Sequence, residues 1–284
     1  MATPFATPRA RALGFGLRTC RTARNLGVRE LARLIDVLPQ ELSNWEYGKR
    51  IPKVEQVGLL MGVLVVEPRE RARLLDLAKN AAEVSWLEKV MPGVSLKPGT
   101  YVQYEREANE LFGWEPALVP GLLQTPDYAR TVLAGFGVVG AEIERLALAR
   151  ETRRGLLTNP WPAEFRAVVG EAVLRPDFIE PAVMVEQLRF LRTFSRRSNV
   201  SLQVLPHSPG FHPGLCGPYV ILGFPNLPPI VFIEQYRSSA YLYAADQVAD
   251  YRSAAQTLAA LALSEQESCA LIGEVIAELG GSDG

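Results

Sequence analysis

The chain has 284 residues, 48% hydrophobic and 21% charged, with a formal net charge of −1, a length and balance that suit an ordinary soluble chain of one or two domains. Cys20, Cys216 and Cys269 stand far apart without CxxC spacing, which excludes a disulfide framework and points to a reducing compartment. The start MATPFATPRARALGFG lacks the apolar core of a signal peptide, and the longest apolar run, 57-VGLLMGVLVV-66, is shorter than the ~18–20 residues that span a bilayer, so a cytoplasmic chain without a membrane partner is expected.

Charge is unevenly spread. Residues 1–53 hold ten Lys/Arg and four acids, 10 − 4 = +6, which leaves −1 − 6 = −7 for the rest. A basic N-terminal module on an acidic body suits a nucleic-acid reader joined to something else.

In chain order, residues 1–10 read as a flexible arm and residues 11–84 as short helices with short turns. Residues 85–100, with two Pro–Gly signals, read as a linker. Residues 101–279 alternate in period and predict an α+β domain. Its helices are expected at Tyr101–Phe112, Thr125–Gly135, Ala141–Leu157, Ala182–Phe194, Ala245–Leu263 and Ser264–Leu279. About four strands are expected, at Phe165–Val169, Val200–Leu205, Tyr219–Phe224 and Ile230–Glu234. Residues 280–284 read as a disordered tail.

Within the basic segment, 28-VRELARLI-35 and 39-PQELSNWEY-47 predict two short helices around an Asp36-Val37-Leu38 turn. Pro39 suits the first helical position, and Asp36 tolerates a left-handed backbone. Leu31 with Ala32, and Leu42 with Trp45, would face inward. That turns Gln40, Glu41, Ser43 and Asn44 outward, and of these Gln40, Ser43 and Asn44 carry side chains that hydrogen-bond base edges in the major groove. Gly48 would end the helix, and Arg29, Tyr47, Lys49, Arg50 and Lys53 would meet phosphates. For Arg50 an i,i+4 pair with Glu46 is an equal alternative. A retired bundle kept only as a scaffold would have no reason to hold the +6 charge.

The pattern 31-LA-32 with 42-LSNWEYGKRIP-52 resembles the xenobiotic-response-element family of helix-turn-helix regulators, over about Leu13–Asn80. The resemblance implies an N-terminal all-α, five-helix, lambda-repressor-like domain that binds double-stranded DNA as a homodimer on a pseudo-palindromic operator. Val28 departs from the pattern where a phosphate-contacting Gln is common, and Arg29 would replace that contact. Gly27 and Leu38 stand where Ser or Thr caps are usual, at a cost of ~1 kcal/mol each.

Downstream, 119-VPGLLQTPDYAR-130, 164-EFRAVVGEAVLRP-176, 199-NVSLQVLPHSPGFHPGLCGPYVILGFP-225 and 230-IVFIEQ-235 resemble the domain of unknown function that follows such modules in many actinobacterial regulators. That resemblance implies an antitoxin-like transcriptional regulator, with a small partner protein encoded by a neighbouring gene. It carries a competing expectation, a protein-interaction module whose main role is to hold that partner.

Other chemistry finds less support. His207, His212 and Cys216 share one loop but match no common zinc spacing, so no metal is expected. Glu171, Glu234, His207 and Ser208 form no recognised catalytic motif, and neither an enzyme nor a cofactor is expected. If the body senses a ligand or partner, Leu123, Gln124, Thr125, His212, Glu234, Gln235 and Tyr236 would build the mouth, although the 119–130 corner by itself reads rather as structural.

Overall fold

The computed structural model describes residues 7–81, 86–88, 100–207, 210–225, 227–235 and 238–281. The chain divides into two compact units, Met1–Trp86 and Leu87–Gly284.

The first unit holds five helices, α1 (Pro8–Ala23), α2 (Val28–Leu34), α3 (Pro39–Glu46), α4 (Val54–Val63) and α5 (Pro68–Lys79). Prolines open α1, α3 and α5, where the missing N–H would have had no partner in any case. Thr7 caps α1, its hydroxyl accepting from the Ala10 N–H at 3.0 Å. Helix therefore begins inside the stretch read as an arm, because Thr7 and Pro8 supply a start that outweighs the local Pro/Thr/Ala composition. The core is Leu13, Leu17, Leu31, Leu42, Trp45, Leu60 and Leu74, all buried.

The three-residue strand β1 (Trp86–Glu88), inside the expected linker, spans the division, and helix α6 (Thr100–Glu107) follows in the second unit. Strand β2 (Glu110–Glu115), helices α7 (Pro126–Gly135) and α8 (Ala141–Arg153), strand β3 (Glu164–Gly170), helix α9 (Pro181–Phe194) and strand β4 (Val200–Leu205) follow. Strands β5 (Tyr219–Gly223), β6 (Ile230–Gln235) and β7 (Ser238–Leu242) precede helices α10 (Ala245–Leu261) and α11 (Glu265–Gly280). The sheet order is β1-β7-β6-β5-β2-β3-β4. β2, β3 and β4 are parallel, and β5, β6 and β7 run antiparallel to their neighbours.

The α+β class holds, with two corrections. The expected helix over 101–112 stops at Glu107, and β2 takes its last residues. Leu111 and Gly113 on one face of β2 and Trp114 on the other are all buried, so the alternation that marks a half-buried strand is lost. The sheet also has seven strands rather than about four. β7, 238-SSAYL-242, lacks the β-branched residues of a strand and carries Ser239 into the interior.

One face of the sheet, with Trp114, Tyr219, Ile221 and Val231, packs on Val248, Ala255 and Leu258 of α10. At the β4 edge, Val204 N–H donates to Ser268 Oγ at 2.9 Å and Val204 O accepts from Leu263 N–H at 2.9 Å. These bonds satisfy backbone groups that an open edge would expose. Ser264 caps α11 in a capping box with Glu267.

Candidate functional site

In the first unit the geometry centres on α3. Leu42 and Trp45 are buried beneath it, as are Leu31 and Ala32 of α2. Asp36 takes φ +55° in the turn between the helices. α1 crosses α3 at backbone distance: a Cβ on Gly14 would stand 2.2 Å from Trp45 O, and one on Gly48 would stand 2.9 Å from Arg11 Cα. Gly48 has φ +65°, so both its conformation and the space around it demand glycine.

The end of α3 is held by charge. The guanidinium of Arg21 donates from Nε to Glu46 Oε1 at 2.6 Å and from Nη2 to Oε2 at 2.9 Å, and from Nη1 to Leu26 O at 2.8 Å. The bond to Glu46 raises the Arg21 pKa above its ordinary value. This overturns the Glu46–Arg50 alternative. Glu46 is buried and turned toward α1, while Arg50 is exposed and only its backbone N–H reaches α3, at Asn44 O, 3.2 Å.

On the outer surface Gln40 is exposed and Ser43 and Asn44 are half-buried, with Gln40 Nε2 3.4 Å from Asn44 Oδ1. Arg29, Lys49, Arg50 and Lys53 are exposed, as is Tyr47. Arg18 of α1 belongs with this group, its guanidinium 5.5 Å from the Tyr47 ring centre and Lys49 Nζ 5.7 Å from the same ring. Sequence reasoning counted Arg18 only in the charge balance, since its place beside α3 depends on the Gly14 crossing. Neither Gly27 nor Leu38 makes a side-chain cap, but Glu30 accepts from the Gly27 N–H at 3.4 Å. Leu38 is 72% exposed.

In the second unit a cavity of about 390 Å³ opens beside the ends of β2, β5 and β6. Continuing the register of Trp114 with Tyr219 and of Val220 with Phe232 puts Glu115, Pro218 and Glu234 in one row across three strands. The two carboxylates thus share a face, two strand spacings or roughly 10 Å apart at the backbone. Tyr101, Gln124, Phe136, Arg150, Arg153 and Gln235 also line the cavity.

Burial and the charge of Glu234 push the Glu115 carboxyl up to about 8, against the pull of Arg150. Burial likewise raises Glu234, against Arg150 and Arg153. Glu234 is exposed and lines the cavity. Burial lowers Arg150 to about 10, with Arg153 adding to the effect. Burial also opposes the charge of Arg153, but Glu105 outweighs it, accepting from Nε at 2.6 Å and from Nη2 at 2.7 Å, so the Arg153 pKa rises. Arg150 donates to Gln124 Oε1, and Gln124 Nε2 donates to Val119 O at 2.8 Å.

Of the sequence-predicted mouth residues, Gln124, Glu234 and Gln235 line this cavity. Leu123 and Thr125 do not. The buried Gln187 takes a hydrogen bond from Thr125 N–H at 2.7 Å and gives one to Leu123 O at 2.8 Å, which makes the Leu123–Thr125 stretch structural on either side of the cavity-lining Gln124. His212 also lies outside the lining, buried edge-on against Trp114 with 5.9 Å between ring centres. Tyr236 lies outside the described residues. His207 and Cys216 are exposed while His212 is buried, and no group of three metal-ligating side chains gathers among the described residues. Glu115, Arg150 and Arg153 were missed because only the cross-strand register and the approach of α8 bring them to Glu234.

No helix among the described residues is long and apolar enough to cross a membrane. No curated protein matches the chain. Among solved structures, the chain is similar to the clp gene regulator ClgR from C. glutamicum, with 29% identity over 28% of this chain and 97% of that one and a TM-score of 0.23. It is also similar to TrmBL2, an archaeal chromatin protein with a novel mode of DNA binding, with 13% identity over 90% and 92% and a TM-score of 0.34. A helix-turn-helix family model matches residues 17–70, and that of the domain of unknown function DUF5753 matches residues 98–274, more than half of the chain. The chain therefore belongs to the DUF5753 family, with a helix-turn-helix domain preceding that domain.

Proposed function

We propose that the protein is a cytoplasmic, sequence-specific DNA-binding transcriptional regulator that acts as a homodimer, and that its DUF5753 domain dimerises and binds a small molecule or a small protein. Its role is binding rather than catalysis. The observation that carries this reading is the arrangement of α3, in which Leu42, Trp45 and Glu46 are buried while Gln40, Ser43 and Asn44 face outward beside exposed basic residues. Gln40 and Asn44 pair with base edges, Gln and Asn being suited to adenine, and Ser43 accepts either base type. Their mutual bond, long at 3.4 Å, is exchanged for base contacts. Arg18, Arg29, Tyr47, Lys49, Arg50 and Lys53 contact phosphates, which gives affinity that falls with salt.

An eight-residue helix buries too little surface for useful specificity, so two copies read half-sites about 34 Å apart. An effector in the second unit acts only by binding the DNA-competent and incompetent states differently. The test is an electrophoretic shift on the DNA upstream of the protein's own gene with wild type, Gln40→Ala and Asn44→Ala. Each substitution is expected to weaken specific binding by about 1–3 kcal/mol and leave non-specific binding in place. Equal binding by all three proteins would remove base reading from α3 and favour an interaction module that only holds a partner.

A further inference from the structure

The cavity beside β2, β5 and β6 has a charge arrangement that selects among ligands. Arg153 is matched by the bidentate contact to Glu105, which lies outside the lining. That leaves two lining carboxylates, Glu115 and Glu234, against one guanidinium, Arg150. Among the described residues no hydrogen bond or ion pair to either carboxylate is formed, and Arg150 turns one nitrogen to Gln124 Oε1 instead. Glu115 is half-buried and Glu234 is exposed toward the cavity, and a ligand that brings donors and positive charge satisfies both carboxylates. The walls above the carboxylate row are apolar: Val119, Val132, Phe136, Val220 and Phe232, with Tyr101 4.3 Å from Phe232 between ring centres. Aromatic faces favour cations, and the volume suits a small organic molecule rather than a metal ion or a peptide.

We propose that this cavity binds a small organic amine in its protonated form, with the ammonium group between Glu115 and Glu234 and an apolar body against Val132, Phe136 and Phe232. The proposal rests on the reading of the second unit as the effector-binding half of the regulator, and it names the class of effector. An ammonium offers three donors, enough for both carboxylates at once. Arg150, held by Gln124, limits the site to one positive charge, so a monoamine fits better than a polyamine.

The test uses the full chain and a charge series built on similar bodies: 2-phenylethylamine, tryptamine and hexylamine as amines, 2-phenylethanol as the neutral probe and 3-phenylpropionate as the anion. Binding is read by titration calorimetry and by the shift in Tm, without DNA. At least one amine is expected to bind roughly tenfold more tightly than the alcohol, the size of one charge-assisted hydrogen bond, and the anion more weakly than the alcohol. Glu115→Gln and Glu234→Gln are each expected to abolish that preference while circular dichroism shows the fold kept. Binding by no amine at millimolar concentration, equal binding of amine and alcohol, or tightest binding of the anion would each overturn the proposal. So would an amine preference that survives both substitutions. DNA binding by α3 is read separately in the electrophoretic shift, so either reading can fail while the other stands.

Discussion

Arg21 of α1 and Glu46 of α3 form a buried bidentate ion pair, with N–O distances of 2.6 and 2.9 Å, at the end of the helix that presents Gln40, Ser43 and Asn44. The pair fixes where α3 stops and how it meets α1, and it turns an acid in the middle of a basic segment inward. Removing one partner strands a buried charge. Arg21→Ala and Glu46→Ala should each cost about 3–5 kcal/mol in urea denaturation, while the double substitution to Leu should recover part of that loss. A double variant no more stable than the singles would count against the pair as the cause.

Gly14 and Gly58 should respond to alanine with opposite signs. Alanine in a helix ordinarily stabilises relative to glycine by up to ~1 kcal/mol, and Gly58 in α4 has open space where the methyl would go. At Gly14 the same methyl would stand 2.2 Å from the Trp45 carbonyl oxygen. Gly14→Ala should therefore destabilise by about 1–3 kcal/mol and weaken DNA binding by displacing α3. The comparison of the two Tm values decides it, and a stabilising Gly14→Ala would mean that α1 and α3 are further apart.

Arg18 supplies a check on the phosphate surface that leaves base contacts alone. Arg18→Ala should weaken binding about equally for operator and unrelated DNA, and lower the slope of log K against log salt by about 1. A change in sequence preference instead of the slope would place Arg18 at a base edge.

Glu115 ties stability to pH. Its carboxyl, at about 8 when folded against an ordinary value of 4.5, stays protonated in the folded chain while the unfolded chain has lost the proton. The folded state therefore binds more protons between pH 4.5 and about 8. The stability that follows is fully present below that window and lost as pH rises through it. Among the described residues, Glu234 on β6, Arg150 and Arg153 on α8, Tyr101 on α6, Tyr128 on α7 and Tyr219 on β5 are the charged or titratable groups around it. Glu115→Gln should flatten the decline in Tm across the window and exceed wild type by ~1–3 kcal/mol at pH 8, a figure reduced for water reaching the cavity. For wild type, amine affinity should rise from pH 6 to 8 as Glu115 yields its proton, and a flat profile would place the ammonium elsewhere.

Gln187 tests whether the Leu123–Thr125 corner is structural. Its amide satisfies two backbone groups in a fully buried position, so Gln187→Ala should cost about 1–3 kcal/mol. Because Gln124 projects from that corner into the cavity, the same substitution should also weaken amine binding. Unchanged stability in thermal unfolding would return the corner to the class of ordinary surface turns.

The first unit was largely legible because its signals are local. Prolines at the starts of α3 and α5, Leu42 and Trp45 three residues apart, and Asp36 and Gly48 at left-handed positions act within a turn or two of chain. What the sequence could not decide there was pairing at long range. Glu46 had a neighbour four residues on, yet it found Arg21 twenty-five residues back, and Arg18 reached Tyr47 only because Gly14 lets α1 approach α3. The same division holds in the second unit. Strands such as β4 and β6 announced themselves by β-branched residues, but β2 had no alternation to read. The cavity was the least legible feature. Glu115 and Glu234 are 119 positions apart and meet through the register of β2, β5 and β6. Local chemistry thus determined the helices and which residues face outward. Tertiary packing decided which charges are paired and which are left to face a cavity, because burial and distance, rather than residue type, set the cost of a charge.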